Sequence, residues 1–162
     1  MNAMYHEAMA PATPEARSRE LLLFRLGGDR HGQHNELFGI DVANVREIVP
    51  MPVITAIAGA PAQVLGVVKL RDAIIQVIDL PSLAGCIPLT GLHIMLVTEC
   101  EGATQAFALE AVEEIVLIDD SRLMAANYGG ASALVGRIAR LDDGPGSSRL
   151  VQVLDIATIL KM

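Results

Sequence analysis

Three pairs of adjacent acids have the clearest potential for chemistry in this sequence: Glu113-Glu114, Asp119-Asp120 and Asp142-Asp143. Neighbouring carboxylates can hold a metal ion or move a proton in acid and base catalysis. More commonly they mark solvated turns and strand ends. A small β-barrel enzyme that uses these acidic pairs therefore stays open as an alternative function.

The other residue types that support catalysis are scattered. Cys86 and Cys100 are the only cysteines and form no CxxC motif, so we expect buried free thiols. The histidines show no zinc-binding spacing, and no phosphate-binding or dinucleotide-binding motif follows Gly27-Gly28. We therefore expect no catalytic residue, no metal and no cofactor.

Composition excludes two further classes of protein. The formal net charge is −7, and the 162 residues include three phenylalanines and no tryptophan, which argues against nucleic-acid binding. No apolar run approaches the roughly 18 residues that would span a bilayer, and the N-terminus lacks the pattern of an export signal. We expect a cytoplasmic protein with no direct membrane insertion.

The segment Gly66 to Leu80 predicts a β-hairpin, because two runs rich in β-branched residues flank a charged turn at Lys69 to Asp72. Arg71 would lie at the protruding tip. There its guanidinium could bind a partner's carboxylate or carbonyl groups. A solvated turn arginine without a function is the alternative.

The chain before this hairpin predicts a short series of elements. We expect strands at Glu20–Leu26 and Leu37–Ile40, and a loop from Val53 to Gln63. Val42, Val45, Ile48 and Val49 recur at helical spacing, which predicts a helix over Val42–Val49 with Asp41 as its cap.

The second half repeats this order, which indicates a duplicated unit of roughly 70 residues. Each unit would hold about five short strands, so two small closed barrels that pack their apolar outer faces together are the economical fold. The matching segments are Leu21–Leu26 with Leu92–Val97, Phe38–Asp41 with Phe107–Glu110, Val45–Val49 with Val112–Val116, Leu65-Gly66 with Val135-Gly136, and Ile75–Leu80 with Val151–Ile156.

Four residues lie where each unit's connecting segment leaves its barrel: Val45 and Glu47 in the first unit, Val112 and Ile115 in the second. The apolar ones could all be core residues. Alternatively, some of them face a groove that both units share. Such a groove, with Arg71 near its rim, would suit a helical partner.

The stretches FGIDVANVREIV, ITAIAGAPAQVLGVVKLRDAIIQVIDL and FALEAVEEIVLI resemble, in order and spacing, the CheW-like domain of bacterial chemotaxis coupling proteins. The resemblance runs from about Glu20 to Leu160 and is closest to the N-terminal domain of CheV, a coupler that normally carries a receiver domain. Leu70-Arg71-Asp72 and the segment Cys86–Gly91 follow the CheV pattern. Gln76 stands where the family generally has proline.

This resemblance implies a mainly β fold of two interlocked five-stranded SH3-like β-barrel subdomains with a few short helices. Residues 1–19 would be a flexible lead-in, and residues 20–162 would form the CheW-like domain. The implied function is a non-catalytic adaptor, recruited to receptor arrays, that couples transmembrane chemoreceptors to the histidine kinase CheA. A scaffold in a non-chemotactic kinase cascade is the alternative.

The resemblance also implies two binding surfaces and their partners. One would bind the cytoplasmic tip of a chemoreceptor, and the other would bind the regulatory domain of CheA. The receptor-binding positions would be Val45, Glu47, Gly66, Arg71, Val112 and Ile115, and the kinase-binding positions would be Ile54 and Thr55.

Overall fold

The computed structural model describes residues 17–29, 36–125 and 134–161. The predicted flexible lead-in is residues 1–19, and its residues 1–16 lie outside the described ranges. Its last two residues, Ser18 and Arg19, already belong to the first strand. No helix among the described residues is long and apolar enough to cross a bilayer.

The described residues form mainly short strands. The strands are β1 (Ser18–Arg25), β2 (Leu37–Asp41), β3 (Val45–Pro50), β4 (Val64–Leu70), β5 (Ala73–Asp79), β6 (Ile94–Cys100), β7 (Ala103–Leu109), β8 (Ala111–Asp119), β9 (Leu123–Ala125), β10 (Val135–Asp142) and β11 (Ser148–Leu154). The helices are α1 (Leu80–Ala84), α2 (Ile156–Leu160) and two 3-10 turns at Val42–Asn44 and Asp120–Arg122.

These strands form two sheets, and each sheet contains strands from both halves of the sequence. One has the order β3-β6-β7-β5-β4, and we call it the first subdomain. The other has the order β8-β1-β2-β11-β10-β9, and we call it the second subdomain. The first subdomain is continuous in sequence and is inserted between β2 and β8 of the second.

The predicted fold class is therefore confirmed: the protein is mainly β, with two interlocked subdomains and a few short helices. The second subdomain departs from the expected five strands, because the short β9 adds a sixth by pairing with β10. In the first subdomain the corresponding contact is a single bridge between Thr55 and Val67.

Alternate residues of β1 explain how the subdomains pack. Leu21 and Leu23 face a cluster inside the second subdomain, whereas Leu22 and Phe24 face a cluster shared with the first. We call the shared one the central cluster; it also contains Leu96, Phe107 and Leu109 from β6 and β7. A third cluster fills the first subdomain. Strands that are buried on both faces read as continuous apolar runs, as they do here.

The strand registers confirm the duplication and correct its alignment. Leu22 pairs with Ile115 in the second subdomain, and Leu96 pairs with Ile48 in the first, so β1 is equivalent to β6 and β3 to β8. The registers of β2 with β11 and of β7 with β5 place Gly39 opposite Val153 and Ala106 opposite Val77. Sequence matching had instead aligned Phe38 with Phe107, two residues out of this register.

The predicted match of Gly66 with Gly136 is also wrong, by one residue. Gly66 pairs with Val77 just after a bulge, and the equivalent position in β10, opposite Val153, is Arg137. Gly136 corresponds to the bulged residue itself. Sequence similarity alone does not reveal which of two adjacent residues a bulge displaces.

The predicted helix over Val42–Val49 is wrong after its first turn. Asp41 caps Val42–Asn44, accepting a hydrogen bond from the Ala43 N–H at 2.9 Å, and the chain then enters β3. A bulge between Val45 and Glu47 puts Val45 and Ile48 on the same face although they are three residues apart. Apolar residues three apart imitate the period of a helix, which explains the error.

Candidate functional site

The predicted hairpin is present, with Arg71-Asp72 as the turn between β4 and β5. Arg71 has a φ of 55°, in the left-handed region that residues with a Cβ rarely adopt. Its side chain is 64% exposed, so it is not locked in the core. The tip therefore presents a guanidinium to solvent, as predicted.

Glu47 fixes the direction of this guanidinium. Arg71 Nη1 donates to Glu47 Oε2 at 2.7 Å, from the turn to strand β3. A cleft of about 320 Å³ lies beside the pair. Its lining consists of Arg46, Leu70, Arg71, Asp72, Ala73 and Ile75. Glu47 and Arg71, both predicted receptor-binding positions, are thus brought into direct contact.

Gly66 lies where the loop between β3 and β4 crosses over β4. Thr55 and Val67 exchange two backbone hydrogen bonds of 2.9 Å beside it. A Cβ at Gly66 would lie 2.1 Å from the Thr55 carbonyl oxygen and 2.9 Å from Ile54 Cγ2, and the φ of Gly66 is +148°. Only glycine fits this close approach.

This contact joins the two predicted surfaces. Ile54 is half-buried against the cluster inside the first subdomain, and Thr55 is exposed. Both were predicted to bind the kinase, whereas Gly66 was predicted to shape the receptor surface. The structure places the three residues against one another. A displacement of the loop would therefore change its contacts with β4, which leads into the hairpin.

Val45 and Val112 occupy equivalent places in the two subdomains, at the starts of β3 and β8. Both are half-buried and pack against the central cluster. Ile115 follows on β8 and is 53% exposed. Val112 was matched with Val45 of the predicted helix Val42–Val49, but it belongs to a strand that is paired with β1 along its length.

Comparison with known proteins agrees with this architecture. The family model of the CheW-like domain matches residues 20–162. The chain belongs to the CheW-like domain family. It is similar to a probable chemotaxis protein CheW of Rhizobium etli, at 32% identity over 104 residues that cover 63% of each chain.

Two further similarities cover more of this CheW-like chain. Chemotaxis protein CheV3 of Helicobacter pylori is 28% identical over 150 residues, which are 87% of this chain and 47% of CheV3. The crystal structure of the scaffolding protein TtCheW from Thermoanaerobacter tengcongensis has a TM-score of 0.71 at 25% identity, covering 86% of this chain and 90% of that one. The chain spans about half to two thirds of the length of the curated relatives named here.

Glu114, Asp119, Asp142 and Asp143, which come from all three acidic pairs of this CheW-like domain, line one cleft of about 360 Å³ together with Arg122, Arg140 and Arg149. Glu113 pairs with Arg25 at 2.9 Å, Asp120 with Arg19 at 2.9 Å, and Asp142 with Arg122 at 2.5 Å. Asp119 caps the 3-10 turn at Asp120–Arg122 by accepting from the Ser121 N–H. Among the described residues, no group of three or more His, Cys, Asp or Glu side chains could hold a metal ion.

Burial and hydrogen bonding shift the pKa values of Cys86 and Glu110. Burial raises the pKa of the Cys86 thiol, with smaller contributions from Glu36 and Asp29, so ionisation of this free cysteine to the thiolate is disfavoured. Glu110 is only 7% exposed. Burial opposes its ionisation, but hydrogen bonds from the hydroxyl and N–H of Thr90, with smaller contributions from the Leu89 N–H and the charge of His93, together lower its pKa.

Ile48 is an exposed residue that the sequence reasoning did not single out. Ile48 is 41% exposed and lies in β3 at the position equivalent to Ile115 in β8. The signal was present, because the matched segments Val45–Val49 and Val112–Val116 align Ile48 with Ile115. Because the segment around Ile48 was interpreted as a helix, this match was not interpreted as a pair of equivalent positions on two strands.

Proposed function

We propose that this CheW-like protein is a non-catalytic chemotaxis adaptor that couples the cytoplasmic tips of chemoreceptors to the histidine kinase CheA. The observation that carries the proposal is the Arg71–Glu47 pair, which holds an exposed guanidinium in a fixed direction at a protruding tip. Membership of the CheW-like family and the names of the similar CheW and CheV3 proteins support it.

The receptor surface in this proposal combines one directional group with several apolar ones. Arg71 would donate hydrogen bonds that set the register of the receptor, because a guanidinium has five N–H groups and Glu47 engages only part of them. Val45, Val112 and Ile115 would supply apolar contact. The tip of a receptor is a helical hairpin, which can present aliphatic side chains to such a surface.

The kinase surface in this proposal is the loop between β3 and β4. It contains Ile54 and Thr55, and its Val53 is 93% exposed. The whole stretch from Ile48 to Val68 carries no charged residue. A large aliphatic residue on an uncharged loop favours association with an apolar partner surface.

Coupling would follow from the contact at Gly66. Movement of the loop on kinase binding presses on β4, and β4 leads directly to the turn that carries Arg71. No bond is made or broken in this mechanism. Each contact is modest, and many copies acting together in an array would supply the overall affinity.

Calorimetric titration of the protein with a receptor-tip hairpin fragment tests the receptor surface. Arg71→Ala and Val112→Glu should each weaken binding by about 1 to 3 kcal/mol. Arg140→Ala is the matched control, because Arg140 is also an exposed arginine beside a carboxylate, that of Asp142 at 3.8 Å, but it lies in the second subdomain on β10. Unchanged binding in both test variants would refute the proposed surface.

A titration with the isolated regulatory domain of CheA tests the kinase surface separately. Thr55→Arg adds a long charged side chain to the loop without touching the core, and it should weaken kinase binding while leaving receptor binding intact. Loss of receptor binding alone would show that the two surfaces have been assigned the wrong way round.

A further inference from the structure

Two equivalent positions near the starts of β4 and β10 carry very different residues. Gly66 pairs with Val77 in the first subdomain, and Arg137 pairs with Val153 in the second. In the first subdomain the Thr55 carbonyl oxygen closes this space, because it lies 2.1 Å from the position of the Cβ that Gly66 lacks. In the second subdomain Arg137 lines a cavity of about 320 Å³. The arginine therefore borders open space where the glycine borders backbone.

This cavity lies between the two subdomains and has polar walls. Cys100, the last residue of β6, reaches it from the first subdomain, and Arg137 and Asp155 reach it from the second. Asn44 lines it from the 3-10 turn after β2. All four residues are half-buried. A small ligand could therefore lose much of its contact with bulk water here and still find polar partners.

Two of these side chains have no partner within the protein. In the part of the chain that the structure describes, no carboxylate forms an ion pair with Arg137, and no hydrogen bond engages the Asn44 amide. Asp155 accepts hydrogen bonds from the N–H and hydroxyl of Thr158 at 3.2 and 2.8 Å. An ionised carboxylate has about four lone-pair sites, so Asp155 can accept further bonds. A half-buried guanidinium without a counter-ion favours a ligand that supplies one.

The charges of the lining match a small zwitterion. Asp41, which also lines the cavity, is already engaged by Arg19 at 3.1 Å, so Arg137 and Asp155 are the charged groups left to a ligand. We propose that the cavity binds a small zwitterion such as a free α-amino acid, with its carboxylate on Arg137 and Asn44 and its ammonium on Asp155.

Each half of this ligand fits the group that it meets. A guanidinium offers a carboxylate two parallel N–H groups, and a carboxylate accepts from an ammonium. A simple anion would be repelled by Asp155, and a simple cation would be repelled by Arg137. This site goes beyond the proposed coupling function and does not depend on it.

Calorimetric titration of the full chain with L-alanine tests the site. Arg137→Gln removes the charge but keeps a hydrogen-bonding group, and it should weaken binding at least about tenfold. Arg140→Gln is the matched control, because Arg140 is an exposed arginine on the same strand that does not line the cavity; its binding should stay within about twofold. Acetate and ethylammonium, which each carry one of the two charges, should bind at least about tenfold more weakly than L-alanine.

Alkylation of the two cysteines by iodoacetamide, followed by mass spectrometry, locates the ligand. Bound L-alanine should slow the alkylation of Cys100 at least about threefold, whereas Cys86, which does not line the cavity, should react at an unchanged rate. Asp155→Asn guards against misfolding, since asparagine also caps a helix; it should weaken binding while circular dichroism stays unchanged.

Three results would overturn the inference: no binding of L-alanine up to about 50 mM, equal binding by Arg137→Gln, or an unchanged rate at Cys100 in the presence of bound L-alanine. Acetate that binds as tightly as L-alanine would overturn the assignment to a zwitterion. None of these results bears on receptor binding, so the proposed function would stand or fall by its own titrations.

Discussion

Arg71 and Glu47 connect the two opposite edges of one sheet. Arg71 follows edge strand β4, Glu47 lies on edge strand β3, and Arg71 Nη1 is 2.7 Å from Glu47 Oε2. An exposed pair of this kind adds only about 0 to 1 kcal/mol to stability. Its stronger effect is to reduce the freedom of the Arg71 side chain. A partner that binds this guanidinium then pays less conformational entropy.

Replacement of Arg71 by glycine should separate stability from binding. Arg71 has a φ of 55°, which costs a residue with a Cβ about 1 to 2 kcal/mol. Arg71→Gly removes that cost together with an exposed ion pair of similar magnitude, so the free energy of unfolding should change by less than about 1 kcal/mol. Receptor binding should fall as far as in Arg71→Ala. Urea unfolding and titration measure the two effects.

The opposite result would be informative about the ion pair. A loss of more than about 2 kcal/mol in Arg71→Gly, matched by Glu47→Gln, would show that the pair holds the sheet together and is mainly structural.

Replacement of Gly66 by alanine should be far more damaging than the same change elsewhere. A methyl group at Gly66 would overlap the Thr55 carbonyl, so the loop must move away and lose two backbone hydrogen bonds. We expect a loss of about 2 to 4 kcal/mol in Gly66→Ala. Gly59→Ala is the control, because Gly59 also has a positive φ but nothing lies within 4 Å of its added Cβ. Similar losses in the two variants would contradict the role of close approach.

The sequence predicted the hairpin at Arg71 because its turn is short and its strands are unambiguous in pattern. It predicted the duplication for a similar reason: the segment Ile75–Leu80 and its match Val151–Ile156 each contain the end of a strand and the start of a helix, and the registers support their equivalence. What it could not predict was the bulges. A bulge moves the side chains that follow it to the other face of the sheet, and no particular residue type marks the bulge in the sequence. For this reason the pattern of β3 imitated a helix, and Gly66 was matched with the wrong residue.

The contacts between distant segments also could not be predicted from the sequence. Nothing in the residue types of Glu47 and Arg71 shows that they pair across 24 positions. The approach of Thr55 to Gly66 is also set by the path of a loop, which local propensity does not encode. The resemblance to the CheW-like family supplied these residues as a group, and the structure supplied the reason that some of them belong together.

Truncation in the central cluster should loosen both subdomains at once. Phe107 is fully buried there among side chains from both sheets, so Phe107→Ala should cost about 3 to 5 kcal/mol. Hydrogen exchange followed by mass spectrometry should show faster exchange in β1 and in β6 to a similar degree. Faster exchange confined to β6 and β7 would mean that the cluster does not couple the subdomains.

The buried carboxylate of Glu110 should make stability depend on acid pH. Its hydrogen bonds with Thr90 hold its folded pKa below the ordinary value of 4.5. The ionised form therefore stabilises the fold fully above the unfolded pKa, and this contribution is lost as the pH falls through the lowered folded value. Glu110→Gln should be less stable than the unsubstituted protein at pH 7, and the difference should shrink below about pH 4.5. Glu101→Gln, at an exposed turn, is the matched control in urea unfolding across this range. A difference between Glu110→Gln and the unsubstituted protein that stayed constant from pH 7 to pH 3 would show that packing, and not the charge of Glu110, holds the Thr90 loop in place.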